Sequence, residues 1–246
     1  MEFNNHNQIC SSQLPYAYPC DNYLDAILSN RLVRKAIQLY SDKHCSEQIQ
    51  KIKSSAQSVT INNYPFLYGV LQSCYSSLNV EERPEIYITD RLKGINALSV
   101  GTDDTPMILI SRKAVVTLTE GELKFMLGHE LGHILQKNLI CHTIKGLLDN
   151  LNEKHDLLGP VVLDLIDVPL NQWYRSSEFT ADRAGYLCCL DMKPIINLFN
   201  RIVEINQCGE YSNYLELYRS YPFIQSRVDK IYEFALNRNM LNDKSI

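Results

Sequence analysis

The feature of this sequence that most constrains its fold is a helix pattern, residues 119–136, that is apolar on most of its sides. A capping box marks its start, because the Thr119 side chain can accept a hydrogen bond from the Glu122 amide while the Glu122 side chain reaches back to the Thr119 amide. A helix with so many apolar sides is buried in a folded protein. The sequence therefore predicts a largely buried helix with apolar positions at helical spacing: Leu123, Phe125, Met126, Leu127, Leu131, Ile134 and Leu135.

Two histidines lie on this helix one turn apart, and a glutamate directly follows the first of them. His129 and His133 are four residues apart, so they project from the same helical face. Two imidazoles so placed can bind one zinc ion through nitrogen atoms. Glu130 lies about 100° further round the helix, where it would be a strained ligand but is well placed to take a proton from a metal-bound water. The H-E-x-x-H pattern thus predicts a metal site with its own base.

The alternative is an ordinary amphipathic helix that carries two structural imidazoles. Unpaired imidazoles are costly to bury among apolar residues, which weighs against this alternative. Gly128 and Gly132 also interrupt the helix, each at a cost of about 1 kcal/mol relative to alanine. Small residues at these positions indicate that another part of the chain packs very close to this face. We therefore favour the metal site.

A catalytic zinc site needs a third protein ligand, and spacing alone leaves two interpretations open. Glu178, in the segment SSEFTADRAGYL, would supply a carboxylate ligand, and Asp182 one turn later could accept a hydrogen bond from a ligating histidine. Alternatively, Glu178, Asp182 and Arg183 form a solvated helix face. The remaining histidines do not extend the H-E-x-x-H pattern at the spacing of a third histidine ligand: His6, His44, His142 and His155.

Short patterns of strand character precede the buried helix. Three segments are rich in β-branched or aromatic residues, and turn residues separate the last two. We predict a small sheet of about three strands, of which the second and third form an antiparallel pair: Arg83–Asp90, Ile95–Val100 and Met107–Ser111. Helical spacing dominates the rest of the chain. The predicted fold is therefore α+β and mostly helical, with the sheet packed beside the helix that carries the histidines.

The organisation of the chain is most simply that of one domain. We predict that residues 21–246 form this domain, in which residues 21–80 are a helical support and residues 84–246 are the catalytic core. Residues 1–20 are rich in Asn, Gln, Ser and Pro, so we expect a poorly ordered or draped tail there.

Composition and charge argue against several functional classes. A net charge of −4 provides no basic field for nucleic acid, and no block of lysine and arginine indicates an anionic membrane surface. Eight cysteines are scattered without a C-x-x-C pair, which favours a reducing compartment. The first residues do not read as a signal peptide, and the most apolar segment, Leu157–Leu170, is too short to span a bilayer. We expect a soluble, cytoplasmic protein with no integral membrane span and no nucleic-acid partner.

Two motifs together resemble a known family. LTEGELKFMLGHELGHIL followed by SSEFTADRAGYL resembles the HtpX and CAAX-prenyl-protease type of gluzincin metallopeptidases, whose pattern is H-E-x-x-H and then E-x-x-A-D. Two weaker segments occur in the family's order, INALSVGTDDTPMILIS before these motifs and YPFIQSRVDKI after them. The resemblance covers about Glu85 to Ile231.

The resemblance implies a zinc-dependent endopeptidase of zincin-like fold that acts on peptide or protein substrates and binds one Zn²⁺ ion per chain. By the same resemblance His129, His133 and Glu178 are the zinc ligands. Glu130 is the general base, and Asp182 is the partner of a ligating histidine. An extended peptide would add to a sheet edge, in a cleft lined by Asn96, Ala97 and the strand Met107–Ser111, which includes Leu109 and Ile110.

Two positions near the end of the match leave alternatives open. Tyr221 replaces a histidine that the family often has before proline; its hydroxyl could stabilise the oxyanion, or its ring could be a packed aromatic. Arg227 matches the family's arginine and is expected to pair with Asp182 or Glu178, or else to be a surface guanidinium.

The membrane helices of integral-membrane relatives are not recognised here, so a prenylated CAAX substrate is doubtful. Two rival functions share the same metal ligands. One is a zinc hydrolase of a non-peptide amide. The other is a latent or non-catalytic binding protein with an occupied cleft, for which Cys20 could supply a thiolate cap on the metal.

Overall fold

The structure is a computed structural model that describes residues 14–19, 53–137, 139, 160–207 and 224–243; side chains are not described in 160–172, 205–207 and 239–243. Within these ranges the strands are β1 (Gln57–Ser58), β2 (Glu85–Thr89), β3 (Ala97–Gly101) and β4 (Pro106–Ser111). The helices are α1 (Pro65–Leu78), α2 (Arg112–Thr117), α3 (Glu120–Leu135), α4 (Pro160–Cys189), α5 (Met192–Gln207) and α6 (Ile224–Asp243). The protein is α+β and mostly helical, as the sequence predicts.

The sheet has four strands in the order β1-β2-β4-β3. The predicted antiparallel pair is confirmed as β3 and β4, whereas β2 pairs with β4 in parallel. Sequence analysis missed β1, because two polar residues carry no period of their own. Strand β4 has a partner on both sides, and its middle residues are all buried, which explains why it reads as a continuous apolar run rather than as an alternation.

Helix α3 forms as the capping box predicts. The Thr119 amide donates to Glu122 Oε2 at 2.7 Å, and the Glu122 amide donates to Thr119 Oγ1 at 3.4 Å. From Phe125 to Ile134 every residue of this helix is buried. Its backbone amides and carbonyls form hydrogen bonds within the helix, so burial leaves few of them unpaired. The helix can therefore be buried as long as its side chains are mostly apolar.

Helices α3 and α4 pack closely at the glycines of α3. A Cβ atom at Gly132 would lie 2.8 Å from Ala181 Cα, and one at Gly128 would lie 2.6 Å from Cys188 Sγ and 3.0 Å from Gly185 Cα. Real Cβ atoms do not approach other heavy atoms so closely. The expectation of a close neighbour at these glycines is confirmed, and the neighbour is the helix that carries Glu178.

Residues 14–19, the N-terminal segment, lie against the outer side of α4. Tyr16 is 5% exposed and belongs to the hydrophobic core. The Tyr18 amide donates to Thr180 Oγ1 at 2.9 Å, and Arg183 donates to two main-chain carbonyls of the segment at 2.8 and 3.2 Å. Of the two alternatives for the tail, poorly ordered or draped, these six residues take the second, because a buried tyrosine and a guanidinium fix them against α4.

The described helices include none with the length and apolar character needed to cross a bilayer. The assignment of residues 21–246 to one domain, with its division at residues 80–84, stays a prediction.

Candidate metal centre

Three side chains from α3 and α4 converge at one point. His129 Nε2 and His133 Nε2 are 3.1 Å apart. Glu178 Oε2 is 3.5 Å from His129 Nε2, and Glu178 Oε1 is 3.3 Å from His133 Nε2. The two histidines share a face because they are one turn apart, whereas Glu178 reaches them only because α4 packs against α3.

This donor set fits a zinc ion. Ligand atoms about 2.0–2.1 Å from a tetrahedral zinc lie about 3.3–3.4 Å from one another, and the three separations of 3.1, 3.3 and 3.5 Å are close to that value. All three side chains are buried, and the Glu178 carboxylate is fully buried. A buried carboxylate requires a cation or hydrogen-bond donors nearby. Nitrogen and oxygen donors in this number suit zinc.

The pKa values of the two histidines differ because their neighbours differ. Burial, and then the charge of His129, lower the pKa of His133 to about 3, so its imidazole is neutral and ready to bind a metal. Burial acts in the same direction on His129, but the hydrogen bond to Asp182 and the charge of Glu178 outweigh it and raise the pKa of His129. Of the two rings, only that of His129 is in surroundings that favour positive charge, because Asp182 and Glu178 lie beside it.

Asp182 connects His129 to a buried arginine. Asp182 Oδ1 is 3.0 Å from His129 Nδ1, so an Nδ1–H donor leaves Nε2 free to coordinate. Arg227 donates to both carboxylate oxygens, from Nε at 2.8 Å and from Nη2 at 2.5 Å. Burial alone would raise the pKa of Asp182, but the charge and hydrogen bonds of Arg227 lower it to about 2. This carboxylate is thus an anion that fixes the ring of His129.

Burial decides between the two interpretations of the Glu178 helix. Glu178, Asp182 and Arg227 are at most 5% exposed, so neither a solvated helix face nor a surface guanidinium describes them. The Arg227 guanidinium also stacks on Phe199, 5.0 Å from the ring centroid. Arg183, by contrast, faces away from the metal ligands and binds the N-terminal segment.

Glu130 contacts the sheet rather than the two histidines. Its Oε2 accepts hydrogen bonds from the Ser99 amide at 2.7 Å and from the Ser99 hydroxyl at 2.5 Å. Ser99 lies in the strand segment that the sequence singled out, two residues after Ala97, but sequence analysis did not select it. The period of two along a strand could have indicated it, since Ala97 and Ser99 share one side of β3.

The cleft-lining residues require one correction. Leu109 and Ile110 lie in β4, whose two sides are occupied by β2 and β3, so this strand offers no edge to a peptide. Among the described strands the sheet has two free edges, at β1 and at β3, and the one at β3 lies beside Glu130. Because the Ser111 amide donates to the Asn96 carbonyl in the β4 pairing, the main-chain groups of Ala97 and Ser99 point to the other side, away from β4.

Several predicted residues lie outside the described ranges: His6, Cys20, His44, His142, His155 and Tyr221. The two interpretations of Tyr221 therefore stay as the sequence leaves them.

The sequence is similar to known metallopeptidases. The model of Peptidase family M48 matches residues 65–235. The Arabidopsis thaliana protein named plastoglobule-localized metallopeptidase 48, chloroplastic, is 26% identical over 160 residues, which are 64% of this chain and 46% of that protein. A protease HtpX homolog of Helicobacter acinonychis (strain Sheeba) is 22% identical over 239 residues, covering 82% of this chain and 75% of that protein.

A second protease HtpX homolog, from Acaryochloris marina (strain MBIC 11017), is 31% identical over 104 residues, which are 42% of this chain and 35% of that protein. The chain thus spans less than half the length of the plant and Acaryochloris relatives. No solved structure matches it.

Proposed function

Because this chain belongs to peptidase family M48, we propose that it is a zinc-dependent endopeptidase, with one Zn²⁺ per chain held by His129, His133 and Glu178. The observation that supports this proposal most directly is the convergence of these three ligands beside Glu130. Once bound, the zinc would polarise a peptide carbonyl and lower the pKa of a water molecule towards neutrality.

The side chains of this protein would then carry out the proton transfers and orient the metal ligands. Glu130, next to His129 on α3, takes the proton from the water and passes it to the leaving amine. Asp182, held by Arg227, keeps the His129 ring in the tautomer that binds metal. Water attacks directly in this scheme, so no covalent intermediate with the protein forms.

Peptides are favoured over non-peptide amides by the free edge of β3. The main-chain groups of Ala97 and the carbonyl of Ser99 face away from β4, so they can pair with the backbone of an extended chain, whereas the Ser99 amide is already bonded to Glu130. Leu98 is 39% exposed beside this edge and offers apolar contact to a substrate side chain. A small non-peptide amide would leave these backbone groups unused.

The cytoplasmic location, the absence of a nucleic-acid partner and an oxyanion-stabilising role for Tyr221 stay predictions from the sequence.

The test combines metal analysis with cleavage of a peptide library, with and without a chelator. Glu130→Gln keeps all three ligands, so we expect it to retain zinc while its cleavage rate falls by about 10²–10⁴-fold. His133→Ala removes a ligand and should lose zinc and activity together. Zinc-replete Glu130→Gln that cleaves at the native rate would contradict the role of Glu130 as base. A native chain that binds zinc but cleaves no library peptide would contradict the proposed activity.

A further inference from the structure

The side chain of Glu130 is held by a single residue of the sheet. The Ser99 amide and the Ser99 hydroxyl both donate to the same oxygen, Oε2, at 2.7 and 2.5 Å. Among the described residues, the other oxygen, Oε1, has no hydrogen-bond partner. Glu130 is 8% exposed, so most of its surroundings are protein rather than solvent.

The backbone explains why Ser99 is in this position. In β3 the residues that pair with β4 alternate with residues whose main-chain groups point to the free edge. The Ser111 amide donates to the Asn96 carbonyl, so Leu98, two residues after Asn96, also has main-chain groups that face β4, opposite Leu109. Ser99 follows Leu98, so its main-chain groups point to the free edge. The Ser99 amide therefore faces α3, where Glu130 accepts its hydrogen.

The Ser99 hydroxyl is fixed by a second contact with the same residue. Its oxygen lies 2.9 Å from the Glu130 main-chain carbonyl as well as 2.5 Å from Oε2. Both acceptors belong to Glu130, and the carbonyl is part of a buried helix that does not move with the side chain. The hydroxyl has a single proton, which it can donate to either acceptor, so the carbonyl keeps the Ser99 side chain beside Oε2 even while the proton is not donated there.

We propose that Ser99 is a positioning residue for Glu130: its amide and hydroxyl hold Oε2, so that Oε1 is the oxygen available for proton transfer. This inference rests on the proposed function, because it assumes that Glu130 is the base. A glutamate side chain has three rotatable bonds, and two donors on one oxygen restrict them before substrate arrives. Proton transfer depends steeply on such placement.

The first test is kinetic. Ser99→Ala keeps the amide but removes the hydroxyl, so we expect kcat to fall about tenfold while KM and bound zinc stay close to native. Ser99→Thr keeps a hydroxyl and suits a strand, so it should restore most of the rate. Ser58→Ala in β1 is the matched control, since it removes a serine hydroxyl from an exposed position of the same sheet and should not change kcat.

If Ser99 serves only to link β3 to α3, different kinetics are expected. Ser99→Ala would then lower stability and zinc content, and it would leave the kcat of the zinc-loaded fraction unchanged. That result would overturn the proposal, as would a failure of Ser99→Thr to restore the rate that Ser99→Ala loses.

The second test needs neither zinc nor activity. The Ser99 amide faces the free edge, so its protection from hydrogen exchange should depend on the Glu130 carboxylate. In the metal-free protein, Glu130→Ala should speed exchange at residue 99 about tenfold or more, whereas Glu130→Gln, which keeps an acceptor, should change it less. The Leu98 amide, paired with β4, is the internal reference.

The two tests separate this inference from the proposed function. Exchange at residue 99 that does not respond to Glu130→Ala overturns the inference, whether or not the protein cleaves peptides. Faster exchange in a protein that cleaves no peptide supports the Ser99–Glu130 contact and overturns the proposed activity alone.

Discussion

Helices α3 and α4 both supply side chains that could hold a metal ion, but different kinds of interaction hold them in place. The ligands of α3, His129 and His133, are aligned by one helical turn, and the capping box that starts their helix is also local. The ligand of α4, Glu178, is aligned by partners that are remote in sequence. Asp182 one turn later is fixed by Arg227 from α6, and the opposite side of α4 is covered by the N-terminal segment.

Substitutions on α3 and substitutions around α4 should therefore have different effects on this centre. Substitutions on α3 act on a geometry that the helix maintains by itself. Around α4, the loss of a contact from a distant segment displaces the third ligand or its neighbour. Variants of the partners of α4 should therefore reduce both stability and zinc affinity, even where the residue changed touches no metal.

The largest effect is expected for Arg227→Met. Removal of the guanidinium leaves the Asp182 carboxylate buried without its bidentate partner, which typically costs about 3–5 kcal/mol. Zinc affinity should also fall about 10–100-fold, because Asp182 orients His129. Denaturant unfolding and zinc competition titration measure the two changes.

The matched control is Arg201→Met on the α3 side. Arg201 donates to Glu122 at 2.9 Å, but its side chain is 41% exposed and Glu122 keeps its capping bonds to Thr119. Glu122 itself is 1% exposed and its capping bonds are to Oε2, so we expect a loss of about 1–3 kcal/mol, smaller than for Arg227→Met, and no change in zinc affinity. Equal losses of stability and affinity in the two arginine variants would break the comparison between the helices.

The next effect is expected for Tyr16→Ala. Tyr16 fills a buried position between the N-terminal segment and the core, and loss of a buried aromatic ring typically costs about 3 kcal/mol or more. Tyr16→Phe keeps the ring and removes a buried hydroxyl that has no hydrogen-bond partner among the described residues, so its stability should equal or exceed the native value. Thermal unfolding of both variants tests this; a phenylalanine variant as unstable as the alanine variant would contradict it.

The smallest effect is expected for Gly132→Ala, and its direction is the informative result. Alanine favours a helix over glycine by about 1 kcal/mol, but a Cβ here would lie 2.8 Å from Ala181 Cα. Overpacking typically costs about 1–3 kcal/mol, so the net change should be a small loss of stability with weaker zinc binding.

Gly69→Ala in α1 is the control for this glycine. Nothing lies within 4 Å of a Cβ at that position, so the gain in helix propensity should stabilise the protein by about 0.5–1 kcal/mol. A stabilising Gly132→Ala would show that α3 and α4 are less closely packed than the structure indicates.

Most of the local structure could be predicted from the sequence. The start of α3, the antiparallel pair β3 and β4, and the shared face of His129 and His133 follow from spacing and propensity alone. Two features could not be predicted in this way. Strand β1 is too short to show a period, and Tyr16 lies in a segment whose polar composition resembles that of a tail.

The sequence by itself determined that His129 and His133 could share a metal ion, because a helix fixes the distance between residues one turn apart, and it left Glu178 as one of two interpretations until the family resemblance was added. Only the tertiary structure decided where those residues meet: the α3–α4 packing at glycines, the buried Arg227–Asp182 pair and the contact of Ser99 with Glu130. Each of these joins segments far apart in the chain. The periodicity of a sequence does not indicate such contacts, since they depend on how closely the surfaces of two segments fit and not on the residue spacing within either segment.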